Sequence, residues 1–228
     1  MMVESIDRWM TAMVSDEGSG GEGPDGRMEA VVISKEKGVI CGTFVVNRLL
    51  ETHYTSCSVK WRVSEGTKVE VGDEILLISG NGDEMLRSER VLLNVLGRLS
   101  GISTNSLRWV DEAGSMGVAS TRKVDWGLLD KWAVHVGGGL THRLNREDAL
   151  MIKDSEVLSS RVGSETEDEA LSRLVMEIDM DTNSHFTVVE VRSIEQALAV
   201  AEVWEGVQTE RAGSERVVVL LDNMGPEL

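Results

Sequence analysis

The stretch FTVVEVRSIEQALAVAEVWEGV, residues 186–207, followed by RVVVLLDN at 216–223, reads as strand, helix, strand. Both flanking runs are continuous, valine-rich apolar segments, the pattern of strands covered on both faces. Working backwards, ALMIKD (149–154) is a further strand candidate, followed by the acidic helix SETEDEALSRLVMEI. Before that, the strand GVAS leads into TRK, and a helix surrounds WGLLDKWAV. Repeated strand–helix units of this kind imply an α/β region with a parallel sheet covered by helices, either a barrel or a doubly wound sheet. No GxGxxG follows a strand, so the dinucleotide version of the doubly wound fold lacks its signature. The GGG at 137–139 reads as a helix-joining turn.

The first hundred residues have another texture. Residues 3–14 place Val3, Ile6, Trp9, Met10 and Met13 on one helical face, and a Gly-rich acidic loop follows at 15–26. From 28 to 80, short strands (MEAVVIS, GVICG, CSVKWRV, EILLIS) surround the helical stretch FVVNRLLE, which predicts an α+β sandwich domain. The run DEMLRSERVLLNVLGRLSG then gives a helix with apolar residues at 85, 86, 92, 93, 96 and 99, closed by Gly101. The expected organisation is an N-terminal helix and loop (1–27), the sandwich with its linking helix (28–101) and a partial α/β barrel (102–228). VKWRVSEGTKVEVGDEILL also resembles the hammerhead of lipoyl and biotinyl carriers. Lys60 lies inside a strand pattern there, so structural use is expected.

Composition narrows the function. The chain has 228 residues, 41% of them apolar, and a formal charge of −16. Phosphate backbones call for a basic surface, so a general nucleic-acid binder is disfavoured. No run approaches membrane-spanning length. Two cysteines without CxxC spacing suggest neither a zinc site nor a disulfide framework, and point to a reducing, cytoplasmic setting.

Polar residues recur where the apolar strands stop. Arg122 and Lys123 follow GVAS, Lys153 and Asp154 follow LMI, Glu190 lies near the end of FTVVEV, and Asp222 ends VVVLL. In βα folds the carboxyl ends of strands carry the site. One such charge merely meets solvent; four in a row suggest a site. The basic members, with His142 and Arg143, suit an anionic substrate, arginine offering a bidentate fork. The two carboxylates, Glu190 and Asp222, suit magnesium or sugar hydroxyls.

The stretches SERVLLNVLGRLSGIST (88–104), STRKV (120–124), KWAVHVGGGLTHRLNREDALMIKDS (131–155), VVEVRSIEQAL (188–198) and VVLLDNMGPE (218–227) occur in the order of the quinolinate phosphoribosyltransferase family, which the chain resembles from about residue 28 onward. The resemblance implies transfer of a phosphoribosyl group from phosphoribosyl pyrophosphate to quinolinate, with decarboxylation, in NAD synthesis. It implies that Arg122, His142, Arg143 and Lys153 hold the two substrate carboxylates, with Arg90 reaching in from a partner subunit. Lys123 would contact substrate or diphosphate, and Glu190 and Asp222 would hold the ribose and Mg2+. It further implies a homodimer, or a hexamer, with a shared site. Thr141 stands where the family usually has asparagine, and Val188 replaces the first glutamate of the usual EVE. A related transferase acting on nicotinate, or the paralogue associated with molybdenum transport, shares this scaffold. Complete βα barrels take ~250 residues, and the family continues beyond LLDN; a fragment, or a non-catalytic dimer-forming remnant, is therefore also an expectation.

Overall fold

Apolar side chains at helical spacing carry one helix well past Gly101, where the sequence predicts its end. The computed structural model describes residues 1–18, 23–179 and 186–225, which divide into two compact units, Met1–Leu144 and Asn145–Leu228. The tip of the Gly-rich loop (19–22) and the last two residues of VVLLDNMGPE lie outside the described residues.

In the first unit the order is α1 (Met2–Glu17), β1 (Arg27–Ile33), β2 (Gly38–Val39), α2 (Thr43–His53), β3 (Ser58–Trp61), β4 (Lys68–Val69), β5 (Glu74–Asn81), α3 (Gly82–Ala113) and α4 (Leu128–Val136). β1, β5 and β3 form an antiparallel sheet with β5 central, and β2 pairs with β4 in a small ribbon. Lys60 lies within β3, as the pattern predicts. Asn81 turns the chain from β5 into α3: its side chain accepts the amides of Asp83 and Glu84 at 3.0 and 3.4 Å. Such a cap contributes about 1 kcal/mol.

The α3 face that meets the core is Met85, Val91, Leu92, Val95, Leu96 and Leu99, whereas Leu86, expected on that face, is exposed. The helix ends at Gly114, whose φ of 61° lies in the left-handed region. In α1, Ile6 and Met10 enter the same core, Trp9 and Met13 pack against it, and Val3 faces solvent, correcting its predicted burial. The α1 helix also takes in Ser15–Glu17, which the sequence assigns to the loop.

The second unit is built from β6 (Leu150–Ile152), α5 (Asp154–Ser160), α6 (Glu167–Met176), β7 (Thr187–Val191), α7 (Ile194–Glu210) and β8 (Val217–Leu221). The three strands form a parallel sheet in chain order, as the apolar runs predict. All five residues of β7 are buried, while β8 alternates exposed and half-buried residues as a strand with one neighbour does. Ile152, Leu171, Val175, Val189, Val191, Val200 and Trp204 make a separate core. Burying each such side chain contributes roughly 1.5–3 kcal/mol before the entropy of ordering it. Thr166 and Glu169 cap α6 reciprocally, and Ser193 caps α7 through the Gln196 amide.

Two local readings change. Residues 154–160 form a helix that the sequence reading leaves out. The α7 helix runs on to Glu210, past Val207 where the quoted helical stretch ends; the loop is 211–216, tied by the Trp204 indole donating to the Glu215 carbonyl at 2.9 Å. Among the described residues the parallel pairing consists of this three-stranded sheet in the second unit and one isolated bridge in the first, between Ala119 and Leu140.

Candidate functional site

That bridge organises the basic segments. Leu140 donates its amide to the Val118 carbonyl at 2.7 Å, and the Ser120 amide donates to the Leu140 carbonyl at 2.8 Å. The GVAS segment and residues 140–141 therefore run side by side, and the chain leaves them at TRK on one side and HR on the other. The three glycines make the approach possible. A Cβ on Gly137 would lie 2.3 Å from the Ser103 carbonyl oxygen on α3, one on Gly139 would lie 2.6 Å from Val134, and Gly138 has φ +91°. The GGG is thus a helix-to-strand turn packed on α3.

His142 has φ 52°, a left-handed conformation that costs a non-glycine residue of order 1 kcal/mol or more and tends to persist at functional sites. Arg143 is buried and His142 half-buried, whereas Arg122 and Lys123 are exposed. Among the described residues, the Arg122 and Lys123 side chains have no hydrogen-bond or ion-pair partner. Two unneutralised cations on a chain of net charge −16 are the free positive charge that an anion would find. Arg90 is also exposed and unpaired among the described residues, on the α3 surface, and no described contact joins it to the bridge.

In the second unit the parallel register gathers the remaining candidates at one end of the sheet. Ile152 pairs with Val189, Glu190 with Leu220 and Val191 with Leu221. Lys153 follows β6, Glu190 is the penultimate residue of β7, and Asp222 follows β8 with its amide bonded to the Val191 carbonyl at 2.9 Å. Lys153 Nζ lies 3.2 Å from Glu190 Oε2; the lysine is half exposed and the glutamate 8% exposed. Asp222 accepts from the Asn223 side chain at 2.9 Å, and Asn223 has φ 53°, a second left-handed residue at a candidate strand end. Asp154, the other charge after β6, instead opens α5 as its first residue.

Glu190 and Asp222 offer two hard oxygen ligands from neighbouring strands. No group of three potential metal ligands occurs among the described residues. Two carboxylates do not make a metal cage, but magnesium commonly binds through one or two carboxylates plus substrate phosphates. The donor set fits that mode.

The sequence misses two further residues beside the site. Asp130 and Lys131, consecutive on α4, are 4% and 2% exposed. Their signal is a pair of charges flanked by Leu129 and Ala133 on the inward face of a short apolar helix.

Fold and charge distribution define an α/β protein with charged side chains at the carboxyl ends of parallel strands. The family is settled by comparison. The model of the quinolinate phosphoribosyl transferase N-terminal domain matches residues 10–100, and that of the C-terminal domain matches residues 102–228. The chain belongs to the quinolinate phosphoribosyl transferase family.

Among its relatives, the chloroplastic, carboxylating nicotinate-nucleotide pyrophosphorylase of Arabidopsis thaliana is 33% identical over 207 residues, covering 88% of this chain and 56% of the relative. A probable nicotinate-nucleotide pyrophosphorylase of Archaeoglobus fulgidus is 32% identical over 214 residues, 90% of this chain and 73% of the relative. The chain thus spans little more than half the length of the plant relative. A crystal structure of a NadC deletion mutant superposes with TM-score 0.80 at 27% identity, over 97% of this chain and 76% of that one. NadC from Streptococcus pyogenes gives 0.75 at 26% identity, over 96% and 85%.

Proposed function

We propose that the chain carries out, or contributes the acceptor-binding and ribose-binding residues for, phosphoribosyl transfer to quinolinate with loss of carbon dioxide. The products are nicotinate mononucleotide and pyrophosphate. The observation that supports this most is the Lys153–Glu190 pair at 3.2 Å. A cation suited to a substrate carboxylate touches a carboxylate suited to a ribose hydroxyl, so the acceptor ring and the ribose carbon it attacks would meet at one place.

Arg122, His142, Arg143 and Lys153 would take the two carboxylates of quinolinate, which carries twice the charge of a monocarboxylate. Lys123, exposed and unpaired, would take the diphosphate of phosphoribosyl pyrophosphate. Glu190 and Asp222 would orient the ribose and favour the positive charge that develops at its anomeric carbon as pyrophosphate departs. Mg2+, held by Glu190 and Asp222 with the substrate's own oxygens, would neutralise the leaving diphosphate. The pyridine nitrogen attacks with its own lone pair, so the site needs no general base. Positioning of the two substrates would supply much of the acceleration. After transfer the ring nitrogen is cationic; the bond from the neighbouring ring carbon to its carboxylate would break to release carbon dioxide, the electron pair staying on that carbon beside the positive nitrogen until a proton from water takes its place.

Arg90 is proposed to serve the site of a second copy in a homodimer. No described helix is long and apolar enough to cross a membrane. Cys41 and Cys57 are buried free thiols, and burial pushes both upward from the usual thiol range, which suits unreactive residues in a reducing, cytoplasmic compartment.

The test is pyrophosphate release by the purified chain with quinolinate, phosphoribosyl pyrophosphate and Mg2+. Turnover that Lys123→Ala and Glu190→Gln each abolish supports the proposal. Quinolinate-independent release, or turnover indifferent to both substitutions, contradicts it.

A further inference from the structure

We infer that Asp130 and Lys131 are positioning residues that clamp the two ends of the loop presenting Arg122 and Lys123. The loop leaves the bridge at Ser120 and reaches Asp125 and Trp126 just before α4 begins at Leu128. Lys131 Nζ donates to the Thr141 carbonyl at 2.5 Å and to Ser120 Oγ at 3.3 Å, while Ser120 Oγ itself donates to the Thr141 carbonyl at 2.9 Å. This ammonium therefore joins the residue two before Arg122 to the residue immediately before His142.

Asp130 holds the other end. Its Oδ2 accepts the amides of Asp125 and Trp126, both at 3.0 Å. The carboxylate is itself fixed by Arg98, whose Nε and Nη2 donate to Asp130 Oδ1 and Oδ2 at 2.9 and 2.7 Å. The Arg98 guanidinium also lies 4.8 Å over the Trp126 ring, and Trp126 stacks on Trp9. The four residues between the anchors, Thr121 to Val124, carry both exposed cations.

A charged side chain taken out of water has to be repaid by well-placed partners. Two consecutive ones on the inward face of a nine-residue helix serve geometry here: one isolated β-bridge cannot hold a loop in register, and these four side-chain-to-loop bonds replace the missing ladder. The consequence for substrate binding rests on the function proposed above; the clamp itself does not.

Amide hydrogen exchange of the whole chain separates them. Lys131→Met should speed exchange at Ser120 and Leu140, and Asp130→Ala at Asp125 and Trp126, each by about tenfold or more, the loss of one charged hydrogen bond. The β5 amides should keep their protection. Asp130→Asn, whose side-chain oxygen still accepts, should retain most of what Asp130→Ala loses. Should either buried-charge variant fail to fold, Ser120→Ala, which deletes only the hydroxyl, is to be read at Leu140. Loop exchange unchanged while β5 stays protected would overturn the clamp, and so would loosening of β5 in step with the loop. Quinolinate titration then reads the consequence: about tenfold weaker binding to Lys131→Met than to the unmutated chain. An unmutated chain that ignores quinolinate counts against the proposed function alone, because exchange still judges the clamp.

Discussion

The two units carry their candidate residues on strand ends of different quality. In the second, a three-stranded parallel ladder places Lys153, Glu190 and Asp222 by register alone, and the buried glutamate pairs with a half-exposed lysine. In the first, a single bridge between Ala119 and Leu140 carries Arg122, Lys123, His142 and Arg143, and buried charges on a neighbouring helix supply the missing constraints. Backbone hydrogen bonding is sufficient where a sheet exists; where it thins to one bridge, side chains take over the placement. The charged residues of the first unit should therefore matter to its stability, and those of the second mainly to its chemistry.

Removing one carboxylate from each unit tests this contrast at its widest. Asp130→Ala strips a partly buried arginine and two loop amides of their acceptor and should destabilise the first unit by about 3 kcal/mol. Glu190→Ala releases a lysine that already reaches water, so its cost should stay within about 1 kcal/mol. Urea unfolding followed by exchange in each unit compares them; equal losses would erase the distinction.

Acidification gives a smaller version of the same comparison. Burial alone would push the Glu65 carboxyl up. The amides of Gly42 and Thr43 and the Trp132 indole outweigh it, holding the group below the usual carboxylate range. A carboxyl depressed on folding contributes stability above its unfolded value of roughly 4.3 and loses it as pH falls through the lower folded value. The urea midpoint of the first unit should therefore fall below about pH 4.3, and Glu65→Gln should flatten that limb. In the second unit Glu165 is also held down, chiefly by its hydrogen bonds with Arg173, an arginine that still reaches water, so the corresponding limb should be shallower. A steeper limb in the second unit would reverse the ranking.

Much of this arrangement is legible in the chain because it rests on local pattern. Continuous apolar runs announce β6, β7 and β8, and charges set directly after such runs announce Lys153 and Asp222. Gly101 misleads because glycine ends helices only when the backbone uses its freedom. Here Gly97 and Gly101 keep negative φ inside α3, and a Cβ on either would meet nothing. Asp130 and Lys131 escape notice for another reason: beside Arg98 and the Ser120 hydroxyl, their partners are backbone groups at Thr141, Asp125 and Trp126, and no residue type reveals a carbonyl or an amide waiting for a partner. Leu86 and Val3 fall on apolar faces by spacing yet face solvent, because a helix buries only as wide a stripe as its neighbours cover.

The central claim is that the cations after these strand ends are there for a dicarboxylate. It is tested most directly by calorimetric titration of quinolinate and of nicotinate into the 228-residue chain under one set of conditions. Quinolinate should bind at least about tenfold more tightly, the worth of one additional charged hydrogen bond. Equal affinity for the two acids, or binding of neither, would contradict the account.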